Sequence, residues 1–306
     1  EPIRTDYRLH PIFAPRPPSG GAIVVLGALN ILENFDLGRY KSNSAHTYHL
    51  LAEALRRGHM DRSRHIGDPS FYDVPVEGII SKKRARELAK TISFKSASSN
   101  KSMSPDDFLE ESKDTTHYSI IDEDGNAVSN TYTLGYSFGS GVTIPGTGVL
   151  MNNHMNNFAY RYGDKSIRGR TASPANKFDS GKRPMSTMTP VMMFNREGEL
   201  QLITGSPGGA AIPAAVLRVI TGIIDFDLNI GEATMLPRIH KDWPYEDLDY
   251  ESTASSDVIA ILQNLGHKME ASKTMGSTQS IHIKDGFNHG YADLRRPNAG
   301  VAIQTH

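Results

Sequence analysis

A chain of 306 residues with 38% hydrophobic content holds enough apolar material for a sizeable core, as one large domain or two ordinary ones. Its formal charge of −1 gives no electrostatic reason to expect nucleic acid or an anionic membrane as partner. With no cysteine it carries no disulfide, thiol nucleophile or cysteine-ligated metal, and no apolar run approaches the roughly 20 residues that membrane insertion requires.

The sequence opens on Glu1 and not Met, so a targeting peptide ahead of it is left open. Arg16 to Gly21 is a turn-rich entry to a helix that Ser19 can cap, with Ile23, Leu26, Leu29 and Ile31 as its apolar face. Further helices are predicted over Ala45–Arg57 and Lys82–Ile92. Arg56, Arg57, Arg62 and Arg64 form a basic cluster of the kind that is usually a solvated face or an ion-pair network. The serine-rich stretch from Ser93 to Pro105 reads as an exposed connector running on to Asp114.

The pattern changes at Thr115. Thr115–Ile121 and Ala127–Leu134 read as strands around the tight turn Asp122–Gly125, since Asp-Gly between β-forming runs is a strong hairpin signal. Pro190–Asn195 and Leu200–Thr204 make a second such pair. A helix over Ala210–Ile224 should turn Val216, Leu217, Ile220 and Ile223 inward, and Asn229 with Glu232 fits a capping box. Ser256–Leu265 is a helix stopped by Gly266, and Ser280–Ile283 and Gly290–Leu294 look like closing strands. Hairpins flanked by amphipathic helices make the fold class α+β.

Four segments hold groups that could carry chemistry. In Asp114-Thr-Thr-His-Tyr-Ser119 a hydroxyl stands where a connector meets a strand. If the chain breaks before Thr115, the new α-amine, with a typical pKa of about 7.7–8.0, becomes a base beside that hydroxyl. Patterning alone equally makes Thr115 and Thr116 ordinary β-branched strand residues. Thr204-Gly-Ser-Pro-Gly-Gly209 could turn two N–H groups toward an oxyanion, or be a strand-to-helix turn. Ser186 and Thr187 could donate to a carboxylate or carbonyl, or bond local backbone. Asn152 to Asn157 could line a polar pocket or form a capped turn. His10, His46, His49, His59, His65 and His289 are too scattered in sequence to be ligands, so no metal and no cofactor are expected.

Taken together these strings resemble the gamma-glutamyltranspeptidase family. The match rests on Thr115-Thr-His-Tyr-Ser119, Asp124-Gly-Asn-Ala-Val128, Thr131-Tyr-Thr-Leu134, Arg183-Pro-Met-Ser186, Thr204-Gly-Ser-Pro-Gly-Gly209 and Met275-Gly-Ser-Thr-Gln-Ser280. Upstream, Pro17-Pro-Ser-Gly-Gly21, Leu29 to Asp36, Asp61-Arg-Ser63 and Gly67-Asp-Pro69 are also similar. The resemblance implies an N-terminal-nucleophile αββα sandwich cut at Asp114–Thr115 into subunits. Residues 1–114 would be the end of the large one and 115–306 the small one. Thr115 would attack a γ-glutamyl amide and pass the acyl group to water or to an amino acid or peptide acceptor. Thr133 matches the threonine assisting the nucleophile, and Gly208 and Gly209 the oxyanion pair. Ser186 and Thr187 match hydroxyls beside the substrate's α-carboxylate, and Tyr160–Ser173 a lid. A periplasmic or secreted setting is also implied, with a cytoplasmic one left open.

Several positions depart from the pattern. Gly135 stands where well-known members have asparagine, His154 where they have glutamine, and Asn157 where an aspartate pairs with the glutamyl α-amine. An amide in place of that carboxylate points toward glutaryl-type acyl groups, as in cephalosporin acylases. Family precursors also carry a long segment ahead of the equivalent of Glu1, with an arginine that holds the carboxylate. The sandwich is therefore expected to be incomplete on its N-terminal side, leaving an exposed edge for the missing segment or a partner chain. An unprocessed, inactive fragment or structural homologue is the non-enzymatic alternative.

Overall fold

The computed structural model describes residues 1–99, 114–159, 174–243 and 245–304. Strands β1 (Ile3–Tyr7) and β2 (His10–Ala14) form a hairpin, followed by helices α1 (Gly20–Leu32), α2 (Ala45–His65), α3 (Val76–Ile79) and α4 (Lys82–Lys90). Then come β3 (Asp114–Ile121), β4 (Ala127–Gly135), β5 (Val191–Phe194) and β6 (Leu200–Thr204). Helices α5 (Ile212–Phe226) and α6 (Ile230–Met235) precede β7 (Ile239–His240), β8 (Asp247–Glu251), α7 (Ser256–Asn264), β9 (Lys268–Ser272), β10 (Gln279–Lys284) and β11 (Phe287–Ala292).

Six strands make one antiparallel sheet in the order β1-β2-β5-β6-β10-β11. Its join between early and late chain is β2 on β5, where Ile12 faces Met193 and Phe13 faces Met192. Hairpin β3–β4 lies against β6 and β10. Ser129 Oγ donates to the Thr204 carbonyl at 3.0 Å and Ser119 Oγ to that of Gln279 at 2.9 Å. The third sheet pairs β7 antiparallel and β9 parallel to β8. The fold is a mixture of helices and sheets, as the patterning indicates.

Helix α1 is buried along its whole length between α2, α4, α5 and β1. Ser19 does not cap it: its hydroxyl donates to the Met188 carbonyl at 2.6 Å, and the Gly20 N–H goes to the Ser186 carbonyl at 2.6 Å. The start of α1 is thus tied to residues 186–188. Helix α2 runs eight residues past the predicted end at Arg57, through Gly58, and carries Arg62, Arg64 and His65 in its last turn, where cations suit the helix dipole. Of the basic cluster on it only Arg64 is exposed; Arg56, Arg57 and Arg62 are buried, and the ion-pair reading holds for Arg56 and Arg57, which face Glu53. Arg57 pairs with Glu53 at 2.5 Å, and Arg64 stacks over Trp243 at 5.1 Å. The stretch from Gly209 to Phe226 is long and apolar enough to cross a membrane by composition, yet it is mostly buried in the core.

Candidate active site

Thr115 is the second residue of β3 and is 8% exposed. Thr116 pairs with Tyr132 but Asp114 with Gly135, so β4 carries one extra residue here and both Thr133 and Leu134 stand opposite Thr115. Such a bulge re-aims side chains at the end of a ladder. The Gly135 N–H donates to Thr133 Oγ1 at 2.9 Å, fixing that hydroxyl beside the bulge. The Thr115 carbonyl accepts from Arg296 Nη1 at 3.1 Å, a contact that nothing in the sequence signalled. The Asp114 backbone belongs to β3, and its side chain lies outside what the structure describes.

An open, shallow cleft meets Thr115 and Thr133. Gly135, His154 and Asn157 line it from the chain after β4, Ser186, Thr187 and Met188 from the strap before β5, and Gly209 and Ile212 from the entry to α5. Residues far apart in sequence therefore meet at one place. Gly208 is not in the lining but directly precedes Gly209. It has φ +135°, and a Cβ there would come within 2.9 Å of Gly276 Cα, so only glycine fits without a shift. Met188 and Ile212 give the cleft an apolar wall that the sequence did not single out. The segment Tyr160–Ser173, expected as a lid, lies outside the described residues.

The strap holding Ser186 and Thr187 is pinned at several points. Ser186 N–H donates to Pro18 O at 3.0 Å, and Asp68 accepts from the Arg183 N–H at 2.9 Å and from its Nη2 at 2.7 Å. Ser186 Oγ accepts from the Met188 N–H at 3.2 Å, and Thr187 Oγ1 accepts from Arg62 Nη2 at 3.2 Å. On the other wall, Asn157 Nδ2 donates to the Met185 carbonyl at 3.2 Å. Asn153 fills the place a side chain at position 135 would need: a Cβ on Gly135, at φ +93°, would sit 1.7 Å from Asn153 Oδ1. Asn153 was legible only as part of a polar run.

Below Thr115 on the same face of β3, His117 is buried. Its Nδ1 lies 2.7 Å from Thr131 Oγ1 and its Nε2 3.1 Å from Ser119 Oγ. Burial pushes the imidazole down to about 4, so it is neutral at pH 7. No carboxylate is among the described lining residues. Elsewhere, the fold brings His49 against His267, with Nδ1 and Nε2 2.8 Å apart, and Glu53 nearby. These donors are already engaged, since His49 Nε2 is 2.8 Å from Ser93 O and Glu53 accepts from Arg57 and Ser98. With Arg56 also close, the group reads as a structural tie between α2 and the chain after α7.

The sequence matches the gamma-glutamyltranspeptidase family over residues 1–303. It is 39% identical over 96% of its length to the glutathione hydrolase proenzyme of Escherichia coli K12, covering 51% of that protein. It is 36% identical over 99% of its length to the acylase ACY 1 proenzyme of Pseudomonas sp. SE83, covering 52% of it. The crystal structure of cephalosporin acylase from Bacillus halodurans superposes with a TM-score of 0.82 at 28% identity, over the whole of this chain and 53% of that one. The chain thus spans about half the length of the curated relatives it matches.

Proposed function

The chain belongs to the gamma-glutamyltranspeptidase family, and from that premise we propose that it is the nucleophile-bearing part of a self-processing amidohydrolase cut at Asp114–Thr115. The observation that carries this reading is the cleft in which Thr115, Thr133, Ser186, Thr187 and Gly209 converge. Once freed, the Thr115 α-amine takes the hydroxyl proton and Oγ1 attacks the acyl carbonyl. The N–H groups of Gly208 and Gly209 receive the oxyanion, each such donor contributing about 2.7–4 kcal/mol to the barrier reduction. The amine leaves, and water or an amino acceptor attacks the ester on Thr115 to release the acyl group. The substrate is a small γ-glutamyl or glutaryl amide whose terminal carboxylate meets Ser186 and Thr187.

In this reading residues 1–114 close a large subunit and 115–306 form a small one, within an N-terminal-nucleophile αββα sandwich. Support comes from the helices, the six-stranded sheet and the hairpin packed in succession. On β3–β4, Tyr118, Ile120, Val128 and Tyr132 are exposed apolar residues, a face suited to a complementary segment of about the same length as this chain. Intact mass spectrometry of the incubated chain, alone and joined to that segment, tests the reading. Two fragments meeting at Asp114–Thr115 are expected, with Thr115→Ala staying whole; a joined chain that also stays whole removes the α-amine base.

A second reading, a preference for glutaryl over γ-glutamyl donors, is favoured by one observation. The described lining offers an α-ammonium no carboxylate, and Asn157, whose Nδ2 donates to the Met185 carbonyl, has at most a neutral amide oxygen to accept from it.

A further inference from the structure

We propose that Ser206 is the positioning residue of the oxyanion site: its hydroxyl aims the Gly208 N–H by holding the other end of the same peptide unit. This rests on the function proposed above, in which the N–H groups of Gly208 and Gly209 receive the oxyanion. Ser206 is fully buried, and its Oγ accepts from the Ser277 N–H at 2.9 Å. Its own proton goes to the Pro207 carbonyl, 2.6 Å away. The Pro207–Gly208 peptide is trans and planar, so its C=O and N–H point in opposite directions. Holding the Pro207 carbonyl therefore fixes where the Gly208 N–H points. The next peptide unit is held by the same device, since the Gly208 carbonyl accepts from the Ala211 N–H at 3.1 Å. Among the described residues neither glycine N–H has an acceptor, which leaves both for a ligand.

Ser206 is itself held by a segment that the proposed chemistry leaves unused, Met275 to Gln279. The Met275 N–H donates to Glu251 Oε1 at 2.8 Å, and its carbonyl accepts from Arg238 Nη1 at 2.7 Å. The Thr278 N–H donates to Asp293 Oδ2 at 2.9 Å, and the Gln279 N–H to the Gly205 carbonyl at 3.2 Å. Bonds to buried charged groups on both sides of Ser277 make this segment a firm base. It lies hard against the oxyanion turn: a Cβ at Gly276 would come within 2.5 Å of Ser206 Oγ and 2.9 Å of the Pro207 oxygen. An oxyanion donor lowers the barrier when it is already aimed at the charge that develops. Ser206 is not in the cleft lining, so its contribution is that aim and not a contact with substrate.

The test uses turnover of glutaryl p-nitroanilide by the joined, processed chain, and calorimetric binding of pentanoate and of butanoate carrying a terminal boronic acid. Thr115 Oγ1 adds to the boron, its proton passes to the α-amine, and a boron-bound oxygen of the tetrahedral anion takes the place of the oxyanion. Pentanoate presents only a methyl group there. Ser206→Ala, and Ser206→Cys, which keeps the bulk but is a weak donor, are expected to lower kcat about 10- to 100-fold with KM within about threefold. Boronate affinity should fall by a similar factor, while pentanoate, which reports an intact cleft, holds within about threefold. Unchanged kcat and boronate affinity, or equal weakening of both acids, overturns the assignment to Ser206 and leaves Thr115 as nucleophile. Absent turnover with Ser206-dependent boronate binding keeps Ser206 and rejects the amidohydrolase reading. An unaltered chain that binds the boronate no tighter than pentanoate overturns both.

Discussion

The proposed preference for a glutaryl donor turns on Asn157. Its Nδ2 is committed to the Met185 carbonyl, and its backbone carbonyl accepts from Asn176 Nδ2 at 2.7 Å, so the side chain is fixed. The protein is expected to turn over glutaryl p-nitroanilide faster than the γ-glutamyl compound; a large γ-glutamyl preference would sink the acylase reading. Asn157→Asp supplies an anion for the α-ammonium, and a hydrogen bond to a charged group contributes about 1.5–3 kcal/mol. The ratio of kcat/KM for the two anilides should then move about 10- to 100-fold toward γ-glutamyl. At Gly135 the departure from the family was legible in the sequence, but its reason was not. Asn153 Oδ1 occupies that space from 18 residues away, and no local pattern encodes such a contact.

At the scale of elements, α2 depends on a close approach to α1. A Cβ at Gly58 would meet Val24 O at 2.9 Å and Val24 Cα at 3.0 Å, which is backbone and cannot swing aside. Helix propensity alone would make Gly58→Ala a gain of roughly 1 kcal/mol. Overpacking typically costs about 1–3 kcal/mol, so a net loss of about 1 kcal/mol is expected in urea denaturation; a gain would mean that the helices slide apart freely. The same residue explains why α2 appeared to end at Arg57: glycine reads as punctuation in sequence and here is a contact. Helices α1, α5 and α7 and the hairpins with Asp-Gly and Glu-Gly turns were legible because periodicity and turn chemistry are local. The β1–β2 hairpin was not, since its turn places Arg8 and Leu9 at positive φ without a glycine or asparagine to announce it. Strand β8, Asp-Leu-Asp-Tyr-Glu, reads as an acidic run, and its parallel partner β9 arrives only after α7.

For the whole molecule, three buried histidines set the acid limit. Burial pushes His117, His267 and His282 down to about 4, with His49 adding to the effect on His267 and Lys284 to that on His282. Unfolded, each titrates near 6.5, so between pH 6.5 and 4 the unfolded chain binds more protons than the folded one. Stability is therefore fully present above about pH 6.5 and is lost as pH falls toward 4. The depressed carboxyl of Glu53, at about 2, acts only at lower pH, while Asp61 and Asp225, raised by burial, oppose the trend at its acid end. Urea midpoints are expected to drop by a margin worth several kcal/mol between pH 7 and pH 4.5. Unchanged midpoints would mean that these imidazoles stay wet.

The join of β2 to β5 has a consequence for what a cut at Asp114–Thr115 would produce. Strands β1 and β2 and helices α1 and α2 lie before that bond, while β5, β6, β10 and α5 lie after it, and all of them share one sheet and one core. The break would release a single ladder pair, Asp114 with Gly135. The product would be one nicked fold, two polypeptides that share a sheet and a core. Dilution should not dissociate it, and the halves should separate only on a denaturing gel.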